Sequence, residues 1–319
     1  MENVVLLFSG GVDSYIAYHY LKKPKTVYFD TGSEYAKQEI AVIKKLVPDT
    51  IIDKSLCLTE RQSHDKNAFV PMRNLYLAML ATHYGDNICL AGLKDDVVND
   101  KNEAIFGEFT KLLSVLNEKP ITVFSPFWDW TKADVVKWFS EEHPKLVKDL
   151  VDVSISCYTP KDGKSCRTCP SCFRKWTALW VNDIKTDFNN WNLIAEYHRK
   201  AEKGVYDKQR NFNIMRTINE YRKYKKLKTY AVDIDGVLTK ETEGHDYSKR
   251  TPNKENIAKV NKLYTDGNEI LLFSSRYSQD SEVTQIWLKN NKVKYHKIQL
   301  AKPQYDVLVD DKAINVKDF

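Results

Sequence analysis

The 319-residue sequence predicts an α/β protein with two doubly wound parallel-sheet domains joined by a helical segment. Three observations predict it. Short apolar runs alternate with amphipathic stretches from Val4 to Pro126, and again from Thr229 onward. Turns bearing glycine and aspartate follow the first apolar run of each series, at residues 9–14 and 233–239. Between the two series, from Arg174 to Lys228, the chain is rich in Trp, Tyr and Lys and nearly free of glycine. The expected divisions are residues 1–180, a basic helical linker at 181–227, and residues 228–319.

The elements follow in order. Residues 4–8 are all apolar and read as a buried parallel strand, with a helix at 15–21 behind it. Residues 25–30 give a second strand, and 35–46 a helix whose apolar positions are Ile40, Val42, Ile43 and Leu46. A third strand is expected at 50–53, a helix at 74–83, a strand at 87–92 and another at 121–126. Ligands of such sheets bind at the carboxyl ends of strands, where Ser9, Asp30 and Gly92 fall. In the second series, strands are expected at 229–233 and 271–276, and a third apolar run leads to Asp310 and Asp311.

Hydrophobic residues make up 42% of the chain, an ordinary value for a soluble protein, and no apolar run reaches the length of a membrane span. Met1, Glu2 and Asn3 lead directly into a strand, so a cytoplasmic location is expected. The net charge of +6 permits an anionic ligand without requiring one. The basic run at 222–228 reads as a solvated helix end, with nucleic-acid contact as the alternative. His245 lies in a polar loop and is given no role.

The turn Ser9, Gly10, Gly11, Val12, Asp13, Ser14 sits between a strand and a helix. Its glycines let backbone N–H groups close on an anion, and the helix N-terminus adds partial positive charge. Ser9 and Ser14 add hydroxyl donors. Asp13 is unusual beside phosphate, because a carboxylate repels it unless a cation bridges them. The hexapeptide resembles the loop of the adenylating ATP pyrophosphatases, the PP-loop family. That resemblance implies cleavage of ATP between its α and β phosphates and transfer of AMP to a carboxylate or carbonyl oxygen.

Six cysteines occur, and Cys157, Cys166, Cys169 and Cys172 are separated by eight, two and two residues. Two overlapping Cys-x-x-Cys steps suit a closed tetrahedral zinc with Zn–S bonds of about 2.3 Å, with an iron–sulfur cluster as the alternative. Cys57 and Cys89 stand in apolar contexts and read as core residues.

Together, the loop at 9–14, Val70-Pro71-Met72-Arg73-Asn74, and the cysteine spacing followed by Phe173 and Arg174 resemble 7-cyano-7-deazaguanine synthase over residues 1–180. Asp30, Glu39 and Lys132 also fall where that family has similar residues. The resemblance implies a PP-loop, adenine-nucleotide-hydrolase-like fold, ATP, magnesium and a structural zinc. It also implies a 7-deazaguanine carboxylate and ammonia as substrates, and self-association as a homodimer. By position, Ser9, Gly10, Gly11, Asp13 and Ser14 would hold pyrophosphate and magnesium. Arg73 would counter negative charge, Asn74 would cap the next helix or touch the nucleotide, and Lys132 would neutralise phosphate. The sequence departs from the family in having Met72 where glycine is usual. It also lacks the family's base-pocket stretch after Gly92, where residues 93–100 stand instead.

In the last ninety or so residues, Asp233-Ile234-Asp235-Gly236, then Ser274, then Lys302, then Asp310-Asp311, each after an expected strand, resemble the haloacid-dehalogenase superfamily of phosphatases. The resemblance implies Asp233 as the nucleophile and Asp235 as the acid–base. Ser274 and Lys302 would be phosphoryl ligands, and Asp310 and Asp311 would hold magnesium with Asp233 and Asp235. The room for a cap is small, so a bulky nucleotide or a nucleic-acid end is the expected substrate. Two other readings stand beside this bifunctional enzyme. One is an adenylating enzyme whose acceptor is a protein or nucleic acid. The other is a nucleic-acid-binding module with degenerate sites, recognisable by salt-sensitive binding without turnover.

Overall fold

The computed structural model describes residues 3–33, 36–59, 70–96, 99–155, 157, 159, 160, 164–241, 244, 246–303, 305, 310–316, 318 and 319. Contacts divide it into two units: Met1–Leu193 with Gly204–Ile214, and Ile194–Lys203 with Met215–Phe319.

The first unit holds strands β1 (Val4–Leu7), β2 (Lys25–Phe29), β3 (Ile51–Asp53), β4 (Asn87–Cys89) and β5 (Thr122–Phe124). They form one sheet in the order β3-β2-β1-β4-β5, and every pairing is parallel. The order reverses direction between β1 and β4, which makes the carboxyl end of β1 the switch point where doubly wound sheets take ligands. Helices α1 (Val12–Tyr20), α2 (Ala36–Leu46), α3 (Arg73–Ala81), α4 (Glu103–Leu116), α5 (Lys132–Glu142), α6 (Val147–Asp152) and α7 (Pro170–Trp180) cover it. Alternate strand residues enter two separate cores, as a parallel sheet buried on both faces requires. Leu6, Phe8, Tyr28 and Cys89 pack with α1, α5 and α7 residues such as Ile16, Phe139 and Leu179. Val5, Val27, Phe29, Ile88 and Val123 pack with α3 and α4 residues such as Ala78, Phe106 and Leu113. Two helices, α8 (Trp191–Glu202) and α9 (Lys208–Tyr224), follow, and the division between units falls within both.

The second unit holds a parallel three-stranded sheet, β6 (Thr229–Val232), β7 (Glu269–Phe273) and β8 (Lys297–Gln299), in that order. Helices α10 (Lys254–Thr265) and α11 (Ser281–Asn290) supply Ile257, Val260, Trp287 and Leu288 to a core with Val232, Ile234, Ile270 and Leu272. Arg222, in the basic run, pairs with Glu269 at 3.2 Å rather than standing wholly in solvent. No helix of the described residues is long and apolar enough to cross a membrane.

Two expectations need correction. Cys89 is fully buried, but Cys57 is exposed, because β3 has already ended at Asp53 and the chain at 57 lies outside the core. Asn74 does not cap α3. The N-cap position is Met72, and no side chain of that residue takes part. Instead Asp100 accepts from the Asn74 backbone N–H at 3.2 Å and from its side-chain amide at 2.8 Å. Met72 sits at φ 57°, in the left-handed region, with its side chain 52% exposed. It therefore keeps the backbone geometry glycine favours, at a cost of about 1 kcal/mol.

Candidate functional site

Between β1 and α1 the chain turns through Gly10 at φ 70°. A Cβ on Gly10 would stand 3.0 Å from Val42 Cγ1 and 3.3 Å from Ile43 Cγ1, so only glycine lets the loop lie this close to α2. The Gly10 carbonyl accepts from Ile155 N–H at 3.0 Å, which ties the loop to the chain after α6. Gly11 is the N-cap of α1, and no side chain caps it. Ser9 Oγ lies 3.3 Å from Ser14 Oγ and accepts from Gly11 N–H at 3.4 Å, while Ser14 Oγ donates to the Gly11 carbonyl at 3.1 Å. The result is a tight glycine turn into a helix N-terminus at the switch point, the geometry of an anion site.

Asp13 is not alone. Lys132 Nζ donates to both its oxygens, at 2.6 and 2.9 Å. Lys132 is the first residue of α5, fixed there by a capping box between Thr131 and Asp134, and it is 6% exposed. Asp95 and Asp96, in the stretch after Gly92, turn inward. Arg174 reaches both, at 2.8 and 2.7 Å, and Lys101 lies 2.9 Å from Asp96. Burial alone would push the Asp96 carboxyl up, but Lys101 and Arg174 overcome it and hold it well below the usual carboxylate range. Burial likewise works against the Arg174 charge, and Asp96 and Asp95 more than restore it. The sequence brought in Arg174 only as the residue trailing the cysteine motif, and Asp95 and Asp96 only as part of the altered stretch after Gly92. Their pairing was out of reach, because the partners are far apart in the chain.

Beyond the loop, Glu39 on α2 accepts from Tyr28 Oη at 2.6 Å. Burial pushes its carboxyl up to about 7, against the Tyr28 hydrogen bond and the field of Arg73, with Asp30 adding to the rise. Arg73 opens α3. Asp30, one residue past β2, accepts from Gly32 N–H at 3.1 Å. At Gly92 the Trp128 ring closes in, so that a Cβ there would meet it at 2.4 Å.

The four cysteines do converge. The Sγ atoms of Cys157, Cys166, Cys169 and Cys172 all lie within 4.8 Å of one another, and Cys166 and Cys172 are 3.9 Å apart. Tetrahedral thiolates about 2.3 Å from one zinc stand roughly 3.8 Å apart, so four sulfurs already within 4.8 Å of one another need close only slightly to hold that ion. Cys169 is also the N-cap of α7, accepting from Cys172 N–H at 3.5 Å, and Pro170 follows at the first helical position. The side-chain hydrogen bond with Cys169, with burial adding to it, pushes the Cys157 thiol up to about 11.

In the second unit Asp233, Ser274 and Lys302 stand just beyond the carboxyl ends of β6, β7 and β8. Lys302 Nζ pairs with Asp233 Oδ2, and the Lys302 N–H donates to the Ser274 carbonyl at 3.0 Å. Gly236 at φ 79° turns the chain past Asp235. Arg276, 2% exposed, grips Asp235 through two hydrogen bonds of 2.7 Å, donates to Thr284 Oγ1 at 3.1 Å and lies 4.3 Å from the Tyr247 ring centre. Arg250 Nε is 3.6 Å from Asp235. The sequence reading passed over both arginines, although Arg276 follows the Ser274-Ser275 pair directly. Asp310 and Asp311 are exposed, and Asp310 accepts from Lys312 N–H at 2.6 Å. Among the described residues the cysteines form the one cluster of metal-binding geometry, and the four aspartates are not gathered in this way. Residues 306–309, Gln304 and His245 lie outside the described residues, as do Tyr35, Val97 and Val98.

The family described as queuosine biosynthesis protein QueC matches residues 25–182. Over these residues the chain is similar to that family, which supports a 7-cyano-7-deazaguanine synthase-like PP-loop domain in the first unit. The match supports an ATP-dependent, carbon–nitrogen ligase-like activity for it. The matched stretch begins at β2. It takes in Arg73, Asn74, Lys132 and the four cysteines, while the loop at 9–14 lies before it. Among solved structures, a structural-genomics target from Vibrio cholerae is 25% identical over 28% of this chain and 85% of its own, with a TM-score of 0.26. A chain of the Pnkp1/Rnl/Hen1 RNA repair complex is 11% identical over 93% of this chain and 78% of its own, with a TM-score of 0.22. At these TM-scores neither bears on the fold or function.

Proposed function

We propose that the first unit uses ATP to activate a carboxylate on a 7-deazaguanine and that ammonia then displaces AMP, giving an amide or, after a second activation, a nitrile. The observation that carries this reading is the glycine loop at the switch point of a sheet whose remainder matches QueC. Ser9, Gly10, Gly11 and Ser14 cradle the pyrophosphate portion. Lys132 lends positive charge to the phosphates, and Asp13 is the residue that would hold magnesium, which spreads the charge of the leaving pyrophosphate. Arg73 faces the carboxylate or the nucleotide. The four cysteines hold zinc, which ties the chain before α7 to that helix and takes no part in the chemistry.

The second unit is proposed as a magnesium-dependent phosphatase of the haloacid-dehalogenase kind, supported by Asp233, Ser274 and Lys302 at three adjacent strand ends. Asp233 attacks phosphorus and forms an aspartyl-phosphate, and Asp235 protonates the leaving oxygen and then takes a proton from water. Asp310 and Asp311 are the further candidates to hold the metal.

One experiment tests both halves. The wild type, Asp13→Ala and Asp233→Asn are incubated with ATP, magnesium, ammonia and 7-carboxy-7-deazaguanine, and separately with a phosphate monoester. AMP and a mass-shifted base are expected from the wild type and Asp233→Asn only. Phosphate release is expected from the wild type and Asp13→Ala only. Absence of AMP in every sample defeats the first assignment, and phosphate release undiminished in Asp233→Asn defeats the second.

A further inference from the structure

A chain of buried charges runs from the cysteine cluster to the phosphate loop. Arg174 lies two residues past Cys172 on α7. Its Nη1 donates to Asp96 Oδ1 at 2.7 Å, and its Nη2 stands 2.8 Å from Asp95 Oδ1. The same Asp95 oxygen accepts the backbone N–H of Lys132 at 3.2 Å. Lys132 Nζ in turn grips Asp13 in the loop. The side chains of Asp95, Asp96 and Lys132 retain 9%, 5% and 7% exposure, so the links run through low dielectric where geometry is demanding.

We propose that Arg174 is a positioning residue for the ATP site: it fixes the 95–96 turn to the cysteine-bearing helix, and that turn fixes Lys132 against Asp13. The proposal rests on the reading of residues 9–14 as an ATP loop. Two physical points support it. The planar guanidinium gives each of two successive carboxylates its own nitrogen, Nη1 donating to Asp96 and Nη2 standing in ion-pair reach of Asp95, where a lysine would offer one nitrogen to both. Among the described residues Lys101 pairs with Asp96 and not with Asp95, so it does not replace the arginine at Asp95, the residue that touches α5. In addition, the charges of the network cancel: Asp13, Asp95 and Asp96 against Lys101, Lys132 and Arg174. Loss of Arg174 leaves one uncompensated negative charge beside the place a polyphosphate must enter.

The test measures binding of a non-hydrolysable ATP analogue with magnesium by calorimetry, together with zinc content, in the full chain. The variants are Arg174→Ala, Arg174→Lys, Lys132→Ala and the double variant Arg174→Ala/Lys132→Ala. Arg174→Ala and Lys132→Ala are each expected to weaken the analogue at least about tenfold, with the double variant within about threefold of the weaker single one, because both act on one path. Arg174→Lys keeps the charge and loses the fork, so it is expected to recover only part of the affinity. Zinc stays at the wild-type level throughout. Wild-type affinity in Arg174→Ala, full recovery in Arg174→Lys, losses that multiply in the double variant, or loss of zinc with Arg174→Ala each overturn the proposal. A wild type that binds no analogue instead defeats the ATP reading of the loop itself.

Discussion

Replacing Glu39 by glutamine isolates one buried ionisation. Burial raises this carboxyl from 4.5 to about 7, with Asp30 adding to the rise and Tyr28 and Arg73 opposing it. A carboxyl raised on folding binds more protons folded than unfolded between those two values. Its contribution to stability is therefore fully present below about pH 4.5 and is lost as pH rises through about 7. The full rise corresponds to about 3 kcal/mol, and the partial solvent access of Glu39 trims it to about 2 kcal/mol. Glutamine keeps the shape and the Tyr28 hydrogen bond but does not titrate. Denaturant unfolding of both proteins from about pH 5 to about pH 8 checks this. The stability of Glu39→Gln relative to the wild type is expected to rise by about 2 kcal/mol across that window. Two curves that stay parallel would refute the claim that Glu39 is held in a proton-retaining environment.

Two further outcomes follow from the geometry. The wild type is expected to carry one zinc per chain by atomic emission. Cys169→Ser, which removes both a ligand and the sulfur that caps α7, should lose most of that zinc and unfold at a lower temperature; stoichiometric zinc in that variant contradicts the four-cysteine site. In the second unit, Arg276→Leu leaves the Asp235 carboxylate, 15% exposed, with Arg250 as its ion partner among the described residues. It should cost about 3–5 kcal/mol in denaturant unfolding, and a loss below about 1 kcal/mol would show the pair to be dispensable.

What could be read from the chain beforehand was what local pattern encodes. Residues 4–8 are apolar and precede two glycines, so β1 and the loop were visible at once. Cys166, Cys169 and Cys172 bracket the start of α7, and their spacing alone brings three sulfurs together. The helix α4 went unread, although Asn102 caps it and Phe106, Phe109 and Leu113 mark its buried stripe. So did α5, although Thr131 and Asp134 form its capping box. The charge partners were out of reach for another reason. Asp13 meets Lys132, Asp96 meets Arg174 and Asp235 meets Arg276 only after distant strands have been laid side by side. The stretch after Gly92 shows the effect most clearly. The absence of the family's base-pocket stretch there implied a rebuilt pocket, but no spacing showed that Asp95 and Asp96 pair with Arg174 or that Asp100 holds the start of α3.

The central place of β1 has a consequence for how the first unit assembles. Its β2 neighbour arrives soon in synthesis, with Val5 aligned on Lys25, and the local β1-α1-β2 crossover can close early. The other edge must wait for β4, since Val5 pairs there with Ile88. Until that distant strand emerges, β1 exposes an apolar, unpaired edge at the heart of the future sheet. Aggregation during refolding should therefore be most severe for chains cut between β3 and β4, and should ease once β4 can dock.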